Sequence, residues 1–347
     1  MVVHVIDPLA DSRWDEFVLR HPQAGVFHSR RWLEALQRTY EYRPVVFSSA
    51  DAGEYLKNGL VFCEVTSWIT GRRLVSLPFT DHCEPLVEPS ADEAEILSQA
   101  CDWAGRDGCK YAEIRPRETR QAPNGTWQSS ETFYLHTLPL DAPSVVLFSK
   151  LHKDCVQRKV RRAEKEGLIY EQGRTEAQLR RFYELLLRTR RRHRLPPQPF
   201  QWFRNLANCM GDDLSVRIAS KGEQAVAAIL TLSFKDTVVY KYGVSDERFN
   251  NLGGTPFLFW KTIEEAKQAG MRRLDLGRSD LDNPGLIAFK DRLGAERTLL
   301  RYYRFPAARA QASRFGSQKK TLANRVMKYL PDTALVAAGK LLYRHIG

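Results

Sequence analysis

The chain has 347 residues, 43% apolar and 27% charged, with 53 Lys and Arg against 41 Asp and Glu and a net charge of +12. That length suits two domains of ordinary size, and the composition is that of a globular protein, which sets disordered and fibrous classes aside. No run of about 18 apolar residues occurs, so no membrane-spanning helix is expected. Met1–Asp7 lacks the basic start and apolar core of a signal peptide, which leaves the cytoplasm as the expected compartment. The basic excess favours anionic partners: nucleic acid, phosphorylated cofactors or an acidic membrane face.

Val2–Ile6 reads as a strand and Ser12–Arg20 as a helix capped by Asp11 or Ser12. Phe27-His28-Ser29 leads into a helix over Arg30–Tyr40, whose Trp32, Leu33, Leu36 and Tyr40 share one face. Strands follow at Arg43–Ser48, Asn58–Ser67 and Arg72–Pro78, then a helix at Ala91–Gly105 and a short buried strand at Tyr111–Arg115. The second half opens on a cation-rich helix, Ser149–Gly167, and a strand, Leu168–Gln172. A long helix, Glu176–His193, ends before Pro196, Pro197 and Pro199. Gln201–Asn208 is another helix. Leu214–Ser220, Gln224–Phe234 and Thr237–Val244 form an antiparallel meander with turns at Lys221-Gly222 and Lys235-Asp236. Pro256–Ala269 is a helix closed by Gly270, Arg273–Leu276 a strand, Gly285–Arg292 a short helix and Leu299–Phe305 a last strand.

Each half thus runs through helices, a meander, a helix and a strand, an order that predicts a mixed α/β (α+β) sheet and not a doubly wound parallel one. The repeat predicts two domains of one type, residues 1–145 and 146–306, with a basic amphipathic helical tail over 307–347. That tail is expected to pack on the body, with an anionic membrane as its alternative contact. The six cysteines form no C-x-x-C pair and H-E-x-x-H is absent, so reduced thiols and no metal are expected.

Several segments resemble the FemAB-like branch of the GNAT acyltransferases. Phe27-His28-Ser29-Arg30-Arg31-Trp32 is similar to its F-x-S-x-x-W helix entry, and Arg158–Gly167 to its R-x-x-x-R-x-A-x-x-x-G helix. Phe182–Arg192 resembles F-Y-x-L-x-x-x-T-x-x-R, and Tyr240–Ser245 resembles Y-x-Y-G-x-S. Asp275-Leu276-Gly277-Arg278-Ser279 and Gly285–Lys290 complete the set. The resemblance implies two tandem GNAT-like domains and transfer of an acyl or aminoacyl group to an amine of a cell-envelope or polysaccharide-related acceptor. Acetyl-CoA-dependent N-acetylation is the first alternative. A non-catalytic protein that binds RNA or an anionic membrane through its basic face is the second.

The resemblance also places a transfer site at Phe289 and Lys290. Lys290 would stabilise the oxyanion that acyl transfer generates, with Phe289 beside it in the substrate site. Tyr240 and Tyr242, two apart on a strand, are expected on one side, Tyr242 to protonate a leaving group and Tyr240 to contact substrate. Asp275 is the candidate base and Arg278 a fork for a substrate carboxylate or phosphate. Arg192 and Trp32 are the further substrate contacts that the resemblance supplies. For the donor, acyl-CoA or aminoacyl-tRNA, the candidates are the helix-opening Gly253-Gly254 and the basic positions Arg158 and Arg162. Asn251 stands where a CoA-binding loop has its first glycine, and Leu36 where bridge-forming enzymes of the family have a lysine.

Overall fold

The computed structural model describes residues 2–88, 91–117, 127–306 and 331–345. The first half contributes β1 (His4–Ile6), α1 (Ser12–Arg20), α2 (Arg30–Tyr40), β2 (Arg43–Ser48), β3 (Leu60–Val65), β4 (Arg73–Val75), α3 (Ala91–Arg106) and β5 (Tyr111–Ile114). The second contributes β6 (Gln128–Pro139), α4 (Ser144–Lys150), α5 (Arg158–Lys165), β7 (Ile169–Gly173), α6 (Glu176–Arg192) and α7 (Phe200–Met210). It continues with β8 (Leu214–Lys221), β9 (Gln224–Phe234), β10 (Thr237–Ser245), α8 (Gly254–Gln268), β11 (Arg273–Asp280) and α9 (Pro284–Arg292). β12 (Glu296–Pro306) and α10 (Asp332–Tyr343) close the order.

Two compact units result. The first is Met1–Phe133 with the stretch that begins at Leu299 and the chain end from Leu341, and the second is built on Tyr134–Thr298. The division falls inside β6, not near residue 145, and β12 returns the chain to the first unit. The reason is local: β12 pairs antiparallel with β5, Tyr303 opposite Ile114. No pattern within either strand announces so distant a partner.

In the first unit the sheet order is β1-β2-β3-β4-β5-β12, antiparallel except at β4–β5. The Phe27–Trp32 segment explains itself as a helix start. Ser29 caps α2 by accepting from the Trp32 N–H, and Phe27 and Trp32 pack edge to face 5.0 Å apart. The chain end joins this unit, because the Tyr343 and His345 carbonyls accept from Tyr42 Oη and from Thr70 and Arg73. The tail segment 307–330 lies outside the described residues.

In the second unit the order is β6-β11-β10-β9-β8-β7. β8 to β10 form the expected meander, β7 adds antiparallel to β8, and β10 pairs parallel with β11. The core on one side takes Val156, Val160, Leu258, Phe259, Ile263, Leu274 and Leu276. On the other side α6 and α7 bury Phe182, Leu186, Trp202, Phe203 and Leu206. The basic helix expected over Ser149–Gly167 is broken: α4 ends at Lys150, a π-helical turn covers Lys153–Gln157, and α5 begins at Arg158. Buried Leu151 and the His152 ring, which accepts from the Cys155 N–H, make the break. No described helix is long and apolar enough to cross a membrane.

Candidate functional site

β10 carries the decisive irregularity. Its register with β9 passes from Tyr240 opposite Thr231 directly to Tyr242 opposite Leu230, so Lys241 is the extra residue of a bulge. A bulge turns one residue of the alternation over, and Tyr240 and Tyr242 therefore point to opposite faces. The expectation that they share a side is corrected. Tyr240 packs on the α8 side, 4.8 Å from the Phe259 ring. Its hydroxyl lies where a Cβ of Gly243 would stand, 1.9 Å away, so residue 243 has room only for hydrogen. Tyr242 packs on the α6–α7 side among Phe182 and Phe203, and its hydroxyl accepts from Trp202 Nε1 at 2.9 Å.

The bulge also ends the parallel ladder. β10 and β11 pair over Thr237–Val239 and Arg273–Asp275, and among the described residues no pairing between them follows. β11 turns at Gly277 (φ +70°), whose N–H donates to the Asp275 carboxylate at 2.7 Å. α9 closes on that turn. Lys290 is 3% exposed, and its Nζ donates to the Gly277 and Arg278 carbonyls at 3.0 and 2.8 Å. A lysine on a short helix is thus built into the strand end and not displayed to solvent. Asp275 is buried and Arg278 half-buried at the same turn. Phe289, one residue before Lys290, faces Phe259 at 5.5 Å and the cleft beyond it.

That cleft, about 320 Å³, is lined by Cys155, Lys159, Ala227, Gly254, Thr255 and Phe289 among others. It opens on the N-terminus of α8. Gly253 caps this helix with φ +81° and no side-chain bond, and the Gly254 and Thr255 N–H groups, in the first turn, lack intrahelical acceptors. Gly253 is required there, because a Cβ would stand 2.3 Å from the Lys159 carbonyl. A neighbouring hollow shares Lys159 and Asn250 and adds Arg158, Arg162 and Asn251. Gly253, Gly254, Arg158 and Arg162 are therefore brought together. Lys159 and Thr255 were not singled out in the sequence; an i, i+1 pairing with Arg158 was the available signal for the first. Arg161 points elsewhere and stacks on Phe148 at 5.6 Å.

A second hollow, about 670 Å³, lies at the end of α6. Arg188, Arg191, Arg192, Arg194 and Arg248 line it with Asp246 and Glu247. Asp246 is buried and accepts from Arg188 at 2.9 Å and from Arg248 at 2.6 Å. The Arg248 hydrogen bonds hold its carboxyl down at about 2, so it stays charged and is a poor base. Arg192 approaches Glu247 at 4.0 Å. Arg190 turns away to Gln198. Trp32, expected among the substrate contacts, is 0% exposed in the core of the first unit. Its apolar bulk fills that core beside Phe27, and no part of it reaches a surface; that expectation is corrected.

Residues 152–291 match the family model of the acetyltransferase (GNAT) domain. They are a GNAT acyltransferase domain. Among solved structures the chain is similar to FemX, with TM-score 0.65 and 14% identity over 88% of this chain and 97% of that one. It is similar to L-PGS from Bacillus licheniformis, with TM-score 0.58 and 13% identity over 92% and 98%. It is also similar to a tandem GNAT protein from the clavulanic acid biosynthesis pathway, with TM-score 0.56 and 11% identity over 89% and 100%. At these identities the likeness is one of fold, and the fold is two GNAT-like domains. No curated protein matches the chain in sequence. The GNAT domain brackets the bulge, the open helix N-terminus and Lys290, and the chain is a GNAT-fold acyltransferase.

Proposed function

We propose that this acyltransferase takes an acyl or aminoacyl group from a phosphate-bearing donor in the cleft at the start of α8 and passes it to an amine of an anionic, cell-envelope or polysaccharide-related acceptor held at the arginine hollow. The observation that carries the reading is the convergence, on one apolar cleft, of an uncapped helix N-terminus, Lys159 and Phe289 in the domain where β10 and β11 cease to pair with each other. Phosphate oxygens suit first-turn N–H groups and the helix dipole, and Lys159, Arg158 and Arg162 add positive charge at the mouth. These residues fit the pyrophosphate of CoA even though Asn251 replaces a glycine, since the close approach to Lys159 falls on Gly253. CoA, when bound, supplies the acyl group as a thioester.

The chain's own residues do the rest. The Ala227–Phe289 walls exclude water from the acyl end, which favours aminolysis over hydrolysis. Lys290 fixes the Gly277–Arg278 turn against which the acyl group must lie, so the reacting atoms are held in place. Tyr242, oriented by Trp202, stands on the α6 side, away from the donor's leaving group, where its hydroxyl can orient the acceptor. Arg188, Arg192 and Arg248 grip phosphate or carboxylate on the acceptor, and their forks fix its orientation.

Calorimetric titration with CoA and with uncharged tRNA tests the donor side. CoA is expected to bind, and Lys159→Glu to weaken it by about tenfold through one reversed charge contact. Binding of tRNA alone would move the donor to the aminoacyl-tRNA class. Binding of neither ligand would sink the proposal.

A further inference from the structure

His136, on β6, is 0% exposed, and its Nε2 has no hydrogen-bond partner. It nevertheless faces two side chains, and the Tyr134 backbone carbonyl also hydrogen-bonds the ring. Ser279 Oγ, on β11, lies 3.4 Å from its Nδ1. Asp291 Oδ1, on α9, lies 3.5 Å from its Nε2. The Asp291 carboxylate is shared with Arg297 Nε, also at 3.5 Å, and is 36% exposed. An imidazole so placed is absent from the acyl-transfer steps described above.

The donor and acceptor inventory decides its state. A carboxylate only accepts, so a proton must sit on Nε2 to satisfy Asp291. A serine hydroxyl can donate, so a bare Nδ1 can be satisfied by Ser279. A neutral ring with its proton on Nε2 meets both side chains, and the opposite tautomer sets a lone pair against the carboxylate; the Tyr134 carbonyl, which only accepts, competes for the same proton. Protonating both nitrogens is resisted by burial and then by the charge of Lys290, which together hold the imidazole near 4. Arg297 acts in the same direction, and Asp291 and the Tyr134 carbonyl oppose it.

Asp291 is the neighbour of Lys290 on a helix of nine residues. A hold on Asp291 would therefore bear on how α9 is rotated, and with it on whether Lys290 Nζ reaches the Gly277 and Arg278 carbonyls. We propose that His136 is a positioning residue: as the Nε2–H tautomer, braced by Ser279, it holds Asp291 and so seats α9 with Lys290 on the β11 turn and Phe289 on the cleft. The catalytic meaning of that seat rests on the acyl-transfer reading above; the seat itself does not.

Two measurements on the full chain test it without any substrate. Long-range nitrogen–proton spectra of histidine-labelled protein, with the His136 signal assigned by its loss in His136→Phe, should show the Nε2–H pattern from pH 5.5 to 8. A brief acetic anhydride pulse with peptide mass spectrometry should leave Lys290 protected in the wild type and in Asp291→Asn, whose amide oxygen still accepts. Asp291→Ala and His136→Phe should label Lys290 about tenfold faster while melting cooperatively. A proton on Nδ1, a charged ring, or unchanged protection in Asp291→Ala overturns the proposal. Should His136→Phe fail to fold, Asp291→Ala at the solvent edge decides the labelling arm, and His136→Gln supplies the assignment. Failure of CoA to bind, with this protection pattern intact, would count against the donor reading and leave His136 in its role.

Discussion

At Gly243 a single hydrogen atom is the whole side chain because the Tyr240 hydroxyl occupies the rest of the space. Gly243→Ala should displace that phenol and cost about 1–3 kcal/mol, the usual penalty of overpacking, read from urea unfolding. Lys290→Ala should behave unlike a surface substitution. It leaves two carbonyls of the β11 turn without their donor, so stability should fall by about 1–3 kcal/mol while turnover is lost. Unfolding midpoints unchanged within error would show that Lys290 is not structural. The sequence singled out Lys290 through its resemblance to a family motif, but its burial was not legible there. A nine-residue helix with Lys and Arg in its last turn has the composition of a surface helix. Only the Gly277 turn beneath it makes the inside polar enough to take an ammonium.

Among elements, the strands of the meander and most helices were readable because their periodicity comes from burial on one face. The bulge in β10 was not. Tyr-Lys-Tyr alternates well as a plain strand, and the extra residue shows only once β9 supplies the register. β6 was missed altogether, since its partner lies far along the chain. The α8 entrance can be tested as an element. Gly253→Ala places a Cβ on the Lys159 carbonyl at a φ of +81°, and should lower stability by about 2 kcal/mol or more together with CoA affinity. Calorimetric melting and titration on the same sample check both. The loop after β10 carries a pH signature. Asp246 is depressed to about 2 from its ordinary 3.8, so the folded form binds a proton less readily than the unfolded one. Its contribution, about 2 kcal/mol, is complete above pH 5 and fades as pH falls through 4 toward 2. Asp246→Asn should remove that slope from the acid limb of the stability curve and reduce stability at pH 7.

For the whole molecule, two buried imidazoles shape acid behaviour. His28 in the first unit and His136 in the second are both held near 4 by burial. Each is neutral when folded and takes a proton on unfolding below its ordinary value of about 6.5. A lowered base therefore costs stability as pH falls from 6.5 to 4, by up to about 3 kcal/mol for each group, and the loss levels off below 4. Urea midpoints between pH 7 and 4 should decline accordingly. His28→Gln, which keeps donor and acceptor atoms, should flatten part of the decline.

The opposed tyrosines of β10 carry a consequence for the order of events. Tyr240 belongs to the face with the cleft at α8, and Tyr242 to the face of α6 and its arginine hollow. If donor and acceptor dock on opposite faces of one strand, neither has to leave before the other arrives. Steady-state kinetics should then follow a sequential, ternary-complex pattern, with double-reciprocal lines that intersect and do not run parallel. Selection could also change acceptor specificity from the α6 side while the donor side stays as it is.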